Sequence, residues 1–409
     1  MKLVKMSLAA AMLMGASAYA LDDVKFNGEA KLWYQTTDST DLFDQASSVG
    51  QASFVLGMTG KASDTVSFNL ETTALDTLGL ESNLVSGVTA GTTMADGTAT
   101  TLGDAVATQW WVSQANLAIK LGNTTAVLGR QALDTPLAFT EKWNVVKNTF
   151  DAAVVVNSDI PNTTLVAAYV GKENSAATAN STAGNNGTVV NGGTFQSYAA
   201  GLGGSGGAYA VGAVFAGVPD VTMQGWYYNV LDLATAYWLQ VDGKVALGND
   251  MGLSYGVQYA NVELDGADAN TAYALKVGYS VSGVNMNASY SSVSDDNLAG
   301  VGMNNVTTQD QTKLYTGAGL NGQLLAMGSH INVAGPDTSA WTVGVDTTVS
   351  GATLMAEYTS VDAANVDKSM WAVAAVTNVA GIDLLAGVTG ADTGTADVTA
   401  VRITAGLKF

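Results

Sequence analysis

A period of two runs through this chain, and nothing else in it restricts the fold so tightly. Val24, Phe26, Gly28, Ala30, Leu32 and Tyr34 take one parity, while Lys25, Asn27, Glu29, Lys31 and Gln35 take the other. Met251, Leu253, Tyr255, Val257 and Tyr259 alternate with Gly252, Ser254, Gly256 and Gln258, and the same zigzag recurs over 273–279 and 284–290. Successive side chains of a strand point to opposite faces, so this pattern marks strands with one apolar face. The segments run to about ten residues, the length of a tilted strand that crosses a bilayer.

Composition narrows what can cover that face. Only 12% of the residues are charged, against about 25% in an ordinary soluble domain. Mean hydropathy is +0.19. Yet the one long unbroken apolar run lies in the first 20 residues, and the best later candidate, 372–388, is interrupted by Asn378 and Asp383. A spanning helix needs about 20 mostly apolar residues, so a helical membrane bundle is excluded. There is no Cys and a single His, His330, which removes disulfides, thiolate chemistry and His-cluster metal sites. Neighbouring Ser329 and His330 would point to opposite faces of a strand, and no general-base constellation suggests an enzyme.

The connections alternate in length. Tight turns fall at 60–61, 121–123, 281–283, 349–351 and 378–381; longer polar loops fall at 37–50, 73–107, 171–193, 262–270 and 294–310. Short turns on one side and long loops on the other are the pattern of outer-membrane barrels. In lipid every backbone N–H and C=O needs a partner, so the sheet must close on itself. The sequence therefore predicts an all-β, transmembrane antiparallel β-barrel of about 18 strands, 18 to 20 by count. The stretch 194–230 is ambiguous, because its glycines at 203, 204, 206 and 207 read as a turn or a bulge. The apolar parity faces lipid and the polar parity faces the lumen, where Gly and Ala leave room for water. The final strand, 401–409, alternates and ends in Phe409, like the terminal assembly signal of such barrels. Aromatic clusters at 33–34, 110–111, 226–228 and 237–238, with Trp341, Tyr358 and Trp371, read as interface girdles.

Residues 1–20 carry Lys2 and Lys5, an apolar stretch and Ala18-Tyr19-Ala20, which reads as a signal peptide; residues 21–409 form a single barrel domain. The expected location is the bacterial outer membrane. The formal net charge is −19, and the signal carries two Lys and no acid, so the mature chain is more acidic still. Such a chain repels nucleic acid and attracts cations.

Residues 131–148 break the alternation with a Pro and several bulky apolar groups. Inside a wide tube such a segment finds burial against the inner wall, so it is read as a constriction loop folded into the lumen. Asp134 and Glu141 lie on it, with Lys142 and Lys147, and Arg130 sits at its entrance. Alternation puts Lys31, Lys120 and Arg402 on the lumen wall, and in a closed barrel the last strand adjoins the first. A basic wall opposite an acidic loop would set up a transverse field. Acids of the outer loops, among them Asp38, Asp41, Asp44, Glu263, Asp265, Asp268, Asp295 and Asp296, would add a modest cation preference.

The start Met1-Lys2-Leu3-Val4-Lys5, the Leu128-Gly129-Arg130-Gln131 junction and the ending Val401-Arg402…Lys408-Phe409 resemble the major outer membrane porins of Campylobacter and related bacteria. The resemblance implies an 18-stranded barrel, a homotrimer, and passive passage of ions and small hydrophilic solutes with cation preference. It also raises a bound calcium near the constriction, where the loop offers only Asp134 and Glu141; no other cofactor is expected. A general-diffusion porin is the function expected on these grounds. The alternatives are a substrate-specific outer-membrane channel and a secreted surface-layer or adhesin β protein.

Overall fold

A computed structural model describes residues 22–91, 108–175, 190, 192–199, 204, 206–296, 302–306, 308, 311–324 and 331–409. The first strands are β1 (Asp22–Thr37), β2 (Ser48–Lys61), β3 (Val66–Asp76), β4 (Gln109–Leu121), β5 (Thr124–Gln131), β6 (Phe150–Asn157) and β7 (Thr163–Glu173). A two-residue β8 (Gln196–Ser197) precedes β9 (Ala208–Val218), β10 (Val221–Val230), β11 (Ala234–Gly248), β12 (Met251–Leu264), β13 (Asn270–Val281) and β14 (Val284–Val293). The last are β15 (Thr338–Val349), β16 (Ala352–Ala363), β17 (Val366–Val379), β18 (Ile382–Asp392) and β19 (Asp397–Lys408). Each pairs antiparallel with its neighbour, β7 pairs with β9 past the small β8, and β19 pairs with β1. The result is a closed barrel of eighteen strands with one short extra strand. The ambiguous stretch at 194–230 resolves into β8, β9 and β10, with Gly204, Gly206 and Gly207 in the connection before β9.

The seam shows what the terminal Phe does. Phe409 donates its N–H to the Gly28 carbonyl at 3.0 Å and accepts from the Gly28 N–H at 2.7 Å, and its ring stacks on Phe54 at 5.7 Å. Both ends of the barrel sequence lie on the short-turn side, as an even strand number requires.

Burial is inverted relative to a soluble protein. On β12, Val257 is 51% exposed while its neighbour Gln258 is 1% exposed. Tyr273, Leu275 and Val277 on β13 are exposed, and Ala272 and Ala274, of the opposite parity, are buried. An outer surface built of large apolar side chains fits acyl chains and not water. Ring pairs Tyr169–Tyr209, Tyr227–Tyr237, Tyr273–Tyr290 and Trp341–Tyr358 lie toward the loop end of this surface, 5.1 to 6.1 Å apart, where a girdle belongs.

Eighteen strands about 4.8 Å apart and tilted by about 40° enclose a tube of roughly 35 Å, too wide for wall side chains to fill. Two loops fill it. The first inner loop, 132–149, joins β5 to β6. The second, 294–337, joins β14 to β15. Eight strands separate their roots one way round and ten the other, so they enter from nearly opposite walls. Both pack on apolar patches of the inner face. Met303 and Leu314 of the second loop and Leu137 of the first share a core with Ala260, Ala272, Ala274, Trp226 and Trp238 of the wall. Val145 and Val146 of the first loop pack with Trp33, Leu75 and Trp111.

These contacts correct two expectations. Inward alanines serve as a low floor for the loops, not as space for water. Trp33, Trp111, Trp226, Tyr228 and Trp238 are on the inner face and buried under the loops, not in a girdle.

Candidate pore constriction

The first inner loop begins one residue later than the sequence suggested. Gln131 still pairs with Phe150 across β5–β6, and its amide donates to the carbonyls of Val127, Gly129 and Ala152. Beyond it the chain turns inward through a small hairpin in which Asp134 bridges Phe139. The far part of the loop is pinned to β1–β3. Lys31 donates to the Asn144 carbonyl at 2.5 Å, Ser53 to the Val145 carbonyl at 3.0 Å, and Lys147 pairs with Glu71 at 2.8 Å. Glu71 is further held by Ser113 and Gln114.

The second inner loop is anchored on the opposite arc. Gln258 donates to the Lys313 carbonyl at 2.8 Å and accepts from the Tyr315 N–H at 3.1 Å. The Tyr315 hydroxyl donates to Asp242 at 2.9 Å, and Asp242 pairs with Lys276 at 2.5 Å. A Cβ at Gly256 would strike the Tyr315 ring, so that glycine lets the ring lie against β12. Farther on, Glu357 of β16 accepts the Leu320 and Asn321 N–H groups at 3.0 and 2.7 Å, capping the short helix Leu320–Gln323. Gly319 leaves room for that carboxylate.

The two loops meet in the lumen. Val306 donates to the Leu137 carbonyl at 2.9 Å, and Asn305 exchanges hydrogen bonds with the Phe139 backbone at 2.9 and 3.3 Å. Lys313 pairs with Asp134 at 2.8 Å and lies over the Phe139 ring. Glu141 is the centre of the junction. Its Oε1 accepts from Asn305 at 3.0 Å, from the Gln311 N–H at 3.3 Å and from the Thr308 hydroxyl; its Oε2 accepts from Trp143 Nε1 at 2.7 Å. Glu141 is 1% exposed, and burial pushes its carboxyl above the usual carboxylate range against the pull of these donors. The sequence placed Glu141 at the eyelet; the structure places it inside the junction, as a pin between loops.

The expected basic wall facing an acidic loop does not form. Of the two loop acids, Asp134 is met by Lys313 from the other loop, and Glu141 is sealed. Lys147 is a loop cation on a wall acid, the reverse of the expected sign. Arg130 pairs with Asp151 of β6 at 2.7 Å, donates to the Val112 carbonyl and stacks over Phe195, so the wall holds it. Lys120 lies five residues from Ala115, Arg130's partner on β4, roughly 17 Å toward the short-turn end. Arg402 points inward but is 4% exposed, under the loops. What solvent meets at the constriction is Lys142, exposed and without an ion pair among the described residues, and the exposed Asp134 with its half-exposed partner Lys313. The sequence reading gave no role to Lys313, Asn305, Thr308 or Gln311. The signal for 311–337 was the lack of any period-2 pattern there. Residues 1–20 and Ser329-His330 lie outside the described residues.

Calcium does not fit this loop. The ion takes six to eight oxygens, whereas Glu141 is buried among neutral donors and Asp134 faces Lys313 with one oxygen, so the two loop acids do not converge on one point. Among the described residues no group of three or more acids or His is close enough to hold a metal.

A family model described as outer membrane porin, OprD family, matches residues 20–360. No curated protein matches the sequence. Solved barrels of Pseudomonas aeruginosa resemble the fold. OpdK, crystallised with vanillate, has a TM-score of 0.74 at 14% identity, covering 95% of this chain and 98% of its own. OccK9 (OpdG) has 0.73 at 16% and OccK8 (OprE) 0.71 at 16%, each with the same coverage.

Proposed function

The chain belongs to the OprD family of outer-membrane porins, and from that premise we propose that it is a narrow, solute-selective channel and not a wide general-diffusion pore. The observation that carries this reading is the junction at Glu141. Loops from nearly opposite walls are bonded to each other across the lumen, so a solute crosses beside a fixed septum. Such a septum narrows the passage and brings Lys142 and the Asp134–Lys313 pair to its edge. Charged groups at a constriction select among solutes by sign and size.

The natural solute is a small hydrophilic molecule, and vanillate is a reasonable first probe because OpdK was crystallised with it. Export by residues 1–20 and a trimeric assembly belong to the same proposal, the first resting on the cleavage pattern and the second on the likeness to Campylobacter porins. Planar-bilayer recording of the purified protein tests the central reading. A small conductance, with ion current reduced saturably by vanillate or another small solute, is the expected result. Large currents that track bulk conductivity and ignore every added solute would establish general diffusion instead.

A further inference from the structure

We propose that Arg402 is a positioning residue of the constriction: from the strand that closes the barrel it holds both inner loops at once and so sets the width of the passage. The inference rests on the channel reading and adds a part to it.

Arg402 lies on β19 opposite Gln35 of β1, at the seam. Its Nε and Nη2 both donate to Gln35 Oε1, at 3.1 and 2.7 Å, and its Nη1 donates to the Gln323 carbonyl at 3.0 Å. Gln323 ends the short helix of the second inner loop. The guanidinium carbon lies over two indole rings, Trp33 at 4.9 Å and Trp143 at 5.3 Å. Trp143 belongs to the first inner loop. One wall side chain therefore touches both loops.

The contacts close into a ring. Arg402 bears on Trp143, Trp143 donates to Glu141, Glu141 accepts from Asn305, Thr308 and Gln311, and the second loop returns through Gln323 to Arg402. Removing Arg402 opens this ring at the wall, the only part that is not itself a loop. Among the described residues no carboxylate pairs with Arg402, and at 4% exposure its charge does not meet the water path. Its role is geometric. A planar fork with five donors can lie over two indoles and still reach both the Gln35 amide oxygen and the Gln323 carbonyl; a lysine ammonium cannot.

Single-channel recording of Arg402→Met and Arg402→Lys tests this. Both variants are expected to show roughly twofold or larger conductance and a flickering open state, with the reversal potential in a KCl gradient unchanged. Unchanged current, or a shift in reversal potential alone, overturns the proposal and makes Arg402 a pore-lining charge. Trp143→Phe keeps a ring under the guanidinium but loses the N–H to Glu141; it should move conductance the same way by less, and no change would also count against the idea.

A rescue completes the test. The chain has no Cys, so Asp134→Cys and Lys313→Cys can be joined uniquely by a short bifunctional thiol reagent in the Arg402→Met background. The reference is the same cross-linked double-Cys protein that keeps Arg402, and return to that protein's conductance and quiet open state is expected. Persistence of the large, noisy current after complete cross-linking would mean that Arg402 does not act through the loops. A wild-type chain with no conductance at all would instead strike down the channel reading itself.

Discussion

A carboxylate that accepts four hydrogen bonds from neutral groups and meets no cation, as Glu141 does among the described residues, is stable only because its donors are already in place. Burial raises its pKa above the ordinary value of 4.5, the largest single influence on it. The sign of the pH effect follows. The proton binds more tightly when the loops are joined than when Glu141 is in water, so acid favours the joined state. That contribution is fully present below 4.5 and is lost as pH rises through the raised value. Open-channel noise of the wild type should therefore grow with pH, and Glu141→Gln should flatten the profile. A wild-type profile that falls with pH would show that another group governs the loops. The sequence displays Glu141 beside a lysine on an inward loop; three of its four partners are 164 to 170 residues away, which no local pattern can reveal.

At the scale of elements, the alternation is a physical commitment that each strand makes separately. On β12 Val257 sits mid-strand on the lipid side, and Ser254 sits on the lumen side opposite Gly278. Val257→Lys should destabilise the barrel in lipid vesicles by about 2–4 kcal/mol, the cost of a basic side chain at the bilayer midplane. Ser254→Lys should cost much less, because its ammonium reaches lumen water. Urea titrations of vesicle-inserted protein compare the two, and equal losses would contradict the assigned faces. Parity is also why the wall was legible. The tight turns at 122–123, 282–283 and 350–351 and the last strand lie where the zigzag put them. The inner loops were legible only in part. Residues 132–149 announce themselves by bulky groups without a period, but 311–337 has neither strand pattern nor strong hydrophobicity, so nothing in the sequence marks the second loop beyond the polar stretch 294–310. Its position depends on Gln258, Asp242 and Glu357, inward residues of three separate strands.

For the whole molecule, two fields of different range compete. Asp38, Asp41, Asp44, Glu263, Asp265, Asp268, Asp295 and Asp296 are all exposed on the loop side, a broad negative mouth. Deeper in, the exposed Lys142 presents positive charge to a passing ion at contact range, while the Asp134–Lys313 pair is neutral in sum. The mouth acts over distance and is screened: the Debye length falls from about 10 Å at 0.1 M to about 3 Å at 1 M salt. The constriction charges act where an ion has little water around it and are screened far less. Cation preference, measured as a reversal potential in KCl gradients, should thus be largest in dilute salt and shrink toward molar salt. Replacing Asp265, Asp268, Asp295 and Asp296 with Asn should lower the preference in dilute salt and leave it nearly unchanged in concentrated salt. Lys142→Gln should do the opposite, raising cation preference in concentrated salt, where the mouth no longer counts. A preference indifferent to ionic strength in all three proteins would locate selectivity in neither place, because a mouth of charges exposed to water cannot escape screening.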